Sequence, residues 1–315
     1  MSDESLSARA NALTNLPVRV KLFMGFGAVL ILFVTVAVFG VIEFAKVGHE
    51  VDGMSEASNE AVAAAALETK FLEVKQHARE FAALGHEKDA IAVRKLAKEV
   101  KPQIASVANL IKLKEELDEL TKVEAAFDRY MQDFEKASEL KHDLLNLTTS
   151  VLDKDGSLIV KDLDKLLELA TAEGNAEAVT LVGVAREHAL LAQLYANILI
   201  GRNDESYAKR TEHEFVEVEG ALTGLGKTLR TDEERKLYEE VQTLLKEYEA
   251  GFRKVHQELR DLTALSENEM VERSGIITKG LETLQAAAKK REAMIRDEAE
   301  ATISTSEFTL VVLSG

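Results

Sequence analysis

Several polar side chains lie in or beside the apolar stripes of predicted helices, where they could bind an anionic ligand. Arg273 lies on the line of Met270 and Ile277, and Ser274 and Thr278 follow it on the same predicted helix. Arginine suits a carboxylate because its planar guanidinium donates two parallel hydrogen bonds. The two hydroxyls could add further donors, so this group predicts a carboxylate site.

Arg79 borders the stripe of another predicted helix and is the expected partner of Arg273. It lies 35 residues after Phe44, and Arg273 lies 35 residues before Phe308. At about 1.5 Å per residue, both arginines are then about 50 Å from the apolar segments near the chain ends. We therefore expect them to lie at one level, with Lys75 as the alternative to Arg79.

A second candidate site centres on Arg186. It lies four residues from both Val182 and Leu190, where a stripe should carry an apolar residue. Counting along the helices places it near the level of Arg253 and His256, which could form the opposite wall. An arginine beside a stripe more often pairs with a glutamate or covers the core with its stem, so a structural role stays open for each arginine.

Composition argues against several classes of function. The 315 residues carry a net charge of −16, which repels phosphate backbones and disfavours nucleic-acid binding. Cysteine is absent, which excludes disulfides, thiolate metal sites and cysteine nucleophiles. No HExxH zinc motif, nucleophile elbow or GxGxxG motif occurs. We therefore predict no enzyme, no catalytic residue, no metal site and no cofactor.

One segment predicts a transmembrane helix. Residues 22–42 contain no charged side chain, and 21 helical residues span roughly 30 Å of hydrocarbon. Because Arg9, Arg19 and Lys21 precede this segment, the positive-inside rule places residues 1–21 in the cytoplasm.

The other end of the chain turns apolar at residues 308–315, which are too few to cross a bilayer. We expect them to begin a second transmembrane helix that this chain cuts off, with a cytoplasmic signalling half beyond it. Residues 45–307 would then be an extracytoplasmic domain held by membrane helices at both ends.

Apolar residues recur at spacings of three and four between these two segments, which predicts six amphipathic helices. Residues that stop or cap helices predict the breaks between them, at Leu84–Asp89, Lys112–Glu116, Thr171–Asn175, Ile200–Asp204 and Leu229–Glu234. We also expect Pro102 and Gly156 to kink or interrupt their helices.

The helix pattern repeats. Leu84-Gly85 precedes a charged turn, as Ile200-Gly201 does 116 residues later. The long helices that follow match at an offset of 118, with Val123, Phe127, Tyr130, Phe134 and Lys136 corresponding to Val241, Leu245, Tyr248, Phe252 and Lys254. Folded within a tethered loop, this duplication predicts an all-α domain of two four-helix bundles stacked end to end.

Together, the basic N-terminus with Lys21 before GFGAVL, the long helical loop and the second membrane entry resemble bacterial methyl-accepting chemoreceptors. The duplicated three-helix pattern resembles their helical bimodular sensor domain. The resemblance implies a homodimer in the inner membrane whose periplasmic domain binds small carboxylates and whose cytoplasmic half couples to a kinase. It also implies ligand contacts for Arg273 and Thr278 on the last helix, and for Arg79.

Two other interpretations remain open from the sequence. The same sensor could serve a membrane histidine kinase. Alternatively, the chain could be a membrane-anchored structural coiled-coil protein without a metabolite ligand, in which case its stripes should contain no buried arginine.

Overall fold

The structure, a computed structural model, describes residues 17–314, with side chains for residues 17–311, and it is all-α over that range. No strand occurs in that range. Most of the predicted cytoplasmic segment 1–21 lies outside the described residues.

Eight α-helices and two π-helical turns make up the described chain. The α-helices are α1 (Val18–Leu84), α2 (Glu87–Leu110), α3 (Lys114–Leu147), α4 (Lys154–Ala172), α5 (Ala176–Arg202), α6 (Ser206–Leu225), α7 (Asp232–Thr263) and α8 (Met270–Ser314). One π turn, π1 (Thr148–Asp153), joins α3 to α4, and the other, π2 (Ala264–Glu269), joins α7 to α8. The described chain therefore forms six continuous helical segments, with breaks at the five predicted places.

The turn after α5 differs in detail from the predicted repeat. Gly201 is still helical, and Asn203 adopts the left-handed conformation with φ of 52°. Its counterpart in the first half is Gly85, with φ of 69°. Glycine and asparagine are the residues that tolerate this conformation at a helix C-terminus, so the repeat of the turns is offset by 118 residues and not by 116.

Neither Gly156 nor Pro102 interrupts its helix, so that part of the expectation is wrong. The helix α2 runs through Pro102 without a break. Gly156 lies within α4, three residues after π1, where a Cβ atom would be only 2.9 Å from Gln193 and Tyr248 side-chain atoms. The glycine therefore serves close packing in this helix.

The N-terminal part of α1 is long and apolar enough to cross a membrane. The apolar window has a mean hydropathy of 2.7, and none of it is buried within the protein. Phe23 and Phe33 are 83% and 72% exposed, respectively. Such a surface is consistent with a membrane anchor.

The chain divides into two compact units. Over the described residues, the first consists of residues 17–66, Ser106–Glu116 and residues 282–314. The second consists of Leu67–Ala105 and Leu117–Leu281. In the first unit, α1 and α8 approach closely, since a Cβ atom added at Gly53 would lie 3.3 Å from Ile295 Cδ1.

Two groups of core residues hold the second unit together. One is aromatic: the rings of Phe71 and Tyr130 meet edge to face at 5.3 Å, and those of Phe81 and Phe134 at 5.8 Å. The other group comes mainly from α4, α5, α6 and α7. The apolar residues matched by the repeat are all buried, which are Val123, Phe127, Tyr130, Phe134, Val241, Leu245, Tyr248 and Phe252.

Candidate functional site

A cavity of about 550 Å³ lies in the second unit, among α1, α3, α7, α8, π2 and the end of α5. Apolar residues such as Phe81, Phe134 and Met270 form part of its wall. Polar groups suited to orienting a ligand also line it, and these are Tyr130, Asn203, Thr263, Ser266 and Ser274.

Positive charge dominates the ionisable side chains that line the cavity. They include four cations, Lys75, Arg79, Lys141 and Arg202, against a single acid, Glu267. Over residues 17–314, none of the four cations has a carboxylate oxygen within 4.0 Å. In a chain with net charge −16, such a group of unpaired cations favours an anionic ligand.

Burial in the cavity wall shifts the pKa of two of its side chains. Burial lowers the pKa of Lys141, because desolvation disfavours the charged ammonium. Its Nζ donates to the Ala83 carbonyl oxygen at 3.3 Å. Burial also raises the pKa of the Tyr130 hydroxyl, an effect that the nearby Arg79 charge partly offsets. A bound carboxylate would supply the negative charge that the Lys141 ammonium and the Arg79 guanidinium lack.

The turn after α5 positions one side of the cavity. Asn203 Nδ2 donates to Thr263 Oγ1 at 3.0 Å, which ties this turn to the end of α7. The left-handed conformation of Asn203 ends α5 directly after Arg202. The residue that stops the helix therefore also sets the position of Arg202 in the cavity wall.

Arg79 and Arg273 lie beside neighbouring residues of α3, Tyr130 and Asp133. Arg79 lies near Tyr130, and Arg273 Nε lies 3.9 Å from Asp133 Oδ2. Both atoms of that long contact are buried without a hydrogen-bond partner. Arg273 also pairs with Glu272, at 3.2 Å.

Only part of the predicted group lines the cavity. Arg79 and the buried Ser274 do, as does Lys75, the stated alternative. Arg273 and the half-buried Thr278 are not among the lining residues. Their ligand contacts therefore remain predictions from the resemblance.

Arg186 has a different environment from the one its sequence position suggests. The buried stripe of α5 runs through Val182, Ala185 and Ala189, while Leu190 is 41% exposed. Arg186 lies on the flank of this stripe and pairs with the half-exposed Asp164. This pairing is the structural role that the sequence left open.

The structure also separates Arg186 from its expected partners. Gly156 contacts Gln193 on α5 and Tyr248 on α7, which sets these two residues at one level. Arg186 lies seven residues from Gln193 towards the start of α5, and Arg253 lies five residues from Tyr248 towards the end of α7. The two arginines therefore lie on opposite sides of the level of Gln193 and Tyr248. Their offsets add to twelve residues, or about 18 Å along the helix axes.

Arg253 and His256 have acidic partners. Arg253 is exposed and donates to Glu249 at 2.8 Å, one turn earlier on α7. His256 lies 2.7 Å from Glu205 Oε1, and its ring stacks on Phe252. Within the α4–α7 core, the described residues leave a space of about 10 Å³ beside Gln193 and Tyr248, room for at most one water molecule.

Sequence reasoning missed Lys141, Arg202, Asn203 and Glu267 as lining residues of the cavity. Lys141 belongs to a long helix with many exposed lysines, so its desolvation leaves no signal in the sequence. Arg202 and Asn203 do carry one, because they occupy the predicted Ile200–Asp204 break, next to the second copy of the repeated turn.

No protein-family model matches the sequence, and no curated protein matches it significantly.

Proposed function

We propose that this chain is the sensor part of a bacterial chemoreceptor and that it binds a small organic acid in the cation-lined cavity. The observation that supports this proposal most directly is the presence of four cations without carboxylate partners around about 550 Å³ of space. That volume falls within the range of small-molecule sites, roughly 300–1,000 Å³. A structural coiled-coil protein would have no use for such a group.

The cavity contains the groups that a carboxylate ligand needs. Arg79 and Arg202 can each donate paired hydrogen bonds to a carboxylate, and the Lys75 and Lys141 ammonium groups add positive charge. Hydroxyls and the Asn203 amide would then fix the orientation of the ligand. A hydroxyl on the acid would have Glu267 as an available acceptor.

The proposed architecture is two stacked four-helix bundles, and this site would lie at the end of the membrane-near bundle, where α5 and α7 of the outer bundle complete its wall. The membrane-near bundle would use α1, α2, the first part of α3 and α8, and the outer bundle would use α4 to α7. Residues 45–307 would lie in the periplasm of a homodimer, with residues 22–42 as its first transmembrane helix. The duplicated helix pattern and the apolar surface of α1 support this arrangement.

Signalling would pass along α8. The π2 turn contributes Ser266 and Glu267 to the cavity wall and leads directly into α8, which continues to Ser314. A ligand that contacts π2 can bias the position of α8 between two packings, because a π turn is a weak point in a helix. Displacement of α8 would then reach the second membrane segment and the kinase-coupled half.

The test is a binding screen of the full chain in lipid nanodiscs against small organic acids, by thermal shift and then by titration calorimetry. We expect at least one acid to bind, and Arg79→Ala to weaken its binding by about tenfold or more, the typical effect of losing a charged hydrogen bond. The matched control is Arg186→Ala, which removes an arginine from the flank of α5 and should leave the affinity unchanged. Failure of every acid to bind, or a loss confined to Arg186→Ala, would overturn the proposal.

A further inference from the structure

Two histidines and two carboxylates meet at the turn between α1 and α2. His77 Nδ1 lies 3.1 Å from Asp89 Oδ1 and 3.7 Å from Glu80 Oε2. His86 Nδ1 lies 3.9 Å from the other Asp89 oxygen, Oδ2. One ligand atom from each of His77, Glu80 and Asp89 lies within 4.8 Å of the other two.

The carboxylate of Asp89 is the least exposed part of this cluster, with the residue only 3% exposed. A buried carboxylate is costly unless a positive charge or several donors compensate for it. Within residues 17–314, the only cationic side chains within 4.0 Å of Asp89 are the His77 and His86 rings, which carry charge only when protonated. With neutral rings, Glu80 and Asp89 give the cluster a charge of −2, which a divalent cation would balance.

We propose that this cluster is a zinc site, formed by His77, Glu80 and Asp89, with a water molecule completing the tetrahedron. Zinc bonds of about 2.0–2.2 Å to nitrogen and oxygen place neighbouring ligand atoms of a tetrahedron about 3.3–3.5 Å apart. The distances of 3.1 and 3.7 Å between ligand atoms bracket that value. Imidazole nitrogens favour zinc over calcium or magnesium, which take oxygen ligands.

A zinc ion here would clamp the turn that joins α1 to α2. His77 and Glu80 lie on the last turns of α1, whereas Asp89 lies in the first turn of α2. Between them, Phe81, Ala82 and Ala83 line the cation-lined cavity. The ion would therefore stiffen one wall of the cavity, although the zinc site does not depend on the proposed ligand.

The experiment uses the full chain in detergent, freed of metal with a chelator and titrated with Zn²⁺ and with Co²⁺. We expect one Zn²⁺ per chain, a rise in melting temperature on zinc addition, and the visible absorption of tetrahedral Co²⁺. His77→Ala should weaken zinc binding at least tenfold. That variant is expected to fold, because the His77 side chain is 35% exposed, and circular dichroism would verify it.

Two controls separate this result from nonspecific binding and from the cavity. His213→Ala removes an exposed histidine of α6 and should leave the zinc affinity unchanged, as should Arg79→Ala in the cavity. Equal zinc affinity in the parent chain and His77→Ala would overturn the proposal. The same conclusion would follow if His77→Ala lowered the melting temperature without changing the response to zinc, since His77 would then be only a hydrogen-bond partner of Asp89.

Discussion

At Arg291, one guanidinium serves two buried carboxylates in the first unit. Its Nη1 donates to Glu60 Oε2 at 2.7 Å, and its Nη2 donates to Glu116. Glu60 and Glu116 are 1% and 8% exposed, and each retains one buried oxygen without a hydrogen-bond partner. Burial raises the pKa of Glu60, the Arg291 contact opposes this shift, and the neighbouring Glu116 charge adds to it.

This shift predicts a stability that depends on pH. The pKa of Glu60 is higher in the folded chain than in the unfolded chain. Its contribution to the free energy of unfolding is therefore fully present below the unfolded-state pKa of about 4.3, and it is lost as the pH rises through the folded-state pKa. We expect Glu60→Gln to remove that loss, since glutamine stays neutral and Glu116 still neutralises Arg291. The measurement is urea unfolding of both chains in detergent from pH 4.5 to pH 8.

A matched control lies one turn earlier on α1. Glu56 is exposed and pairs with Lys112, so Glu56→Gln should leave the pH dependence of unfolding close to that of the parent. If the free energy of unfolding of Glu60→Gln still falls with rising pH as it does in the parent, the raised pKa of Glu60 is not the cause of that fall.

At the scale of the helices, the π1 and π2 turns interrupt the regular α-helical hydrogen bonding. A π turn closes its hydrogen bond between residues i and i+5, so it holds one residue more than an α turn. Deleting one residue therefore returns the segment to an α-helix without changing the register of the flanking helices. In π2 that deletion would straighten the cavity wall.

We predict that deleting Ser266 from π2 preserves folding and weakens binding of the organic acid at least tenfold. The reason is that Ser266 and Glu267 line the cavity and would both move with the straightened segment. Deleting Ser150 from π1 is the matched control, because no residue of π1 is among those that line the cavity. Calorimetry on both variants decides the question, and equal affinity for the two would show that π2 has no special role in the site.

Helix boundaries could be predicted from the sequence because local residues determine them. Thr231 and Glu234 form a capping box at the start of α7, and Asn175 caps α5. The cavity could not be predicted in this way, because a π turn changes the period on which counting along helices depends. It also draws its wall from segments that lie far apart in the sequence.

The buried stripe predicted for α5 is wrong for a different physical reason. The stripe that α5 buries is rich in alanine, with Ala185, Ala189 and Ala192 almost fully buried, while Leu190 and Leu194 are exposed. An apolar stripe is recognised in a sequence mainly by its large side chains, and alanine contributes little to it. Close helix packing favours the small residues instead, so the apparent stripe and the buried one differ.

At the scale of the whole molecule, the apolar part of α1 should decide where the protein resides. We predict that the chain stays with the membrane fraction after alkaline extraction and that Leu30→Arg with Val34→Arg releases it. An arginine at the centre of a membrane helix costs about 2.5–3.5 kcal/mol on the insertion scale, and these two add. Both side chains are exposed on α1, so their replacement disturbs no packing within the protein.

Val216→Arg provides the control, since it adds the same charge at an exposed position of α6 and should not affect membrane association. If the double variant of α1 remains in the membrane fraction as firmly as the parent, residues 22–42 are not the anchor.

The two π turns occur 116 residues apart, one at the end of the long helix in each half of the repeat. If the predicted duplication produced both halves, a π turn present in each is most simply inherited from a single ancestral half. The copies then diverged: π1 packs against Gly251 within a filled core, and π2 borders an open cavity. Such a duplication would have left one copy free to form a binding cavity while the other kept the packed core.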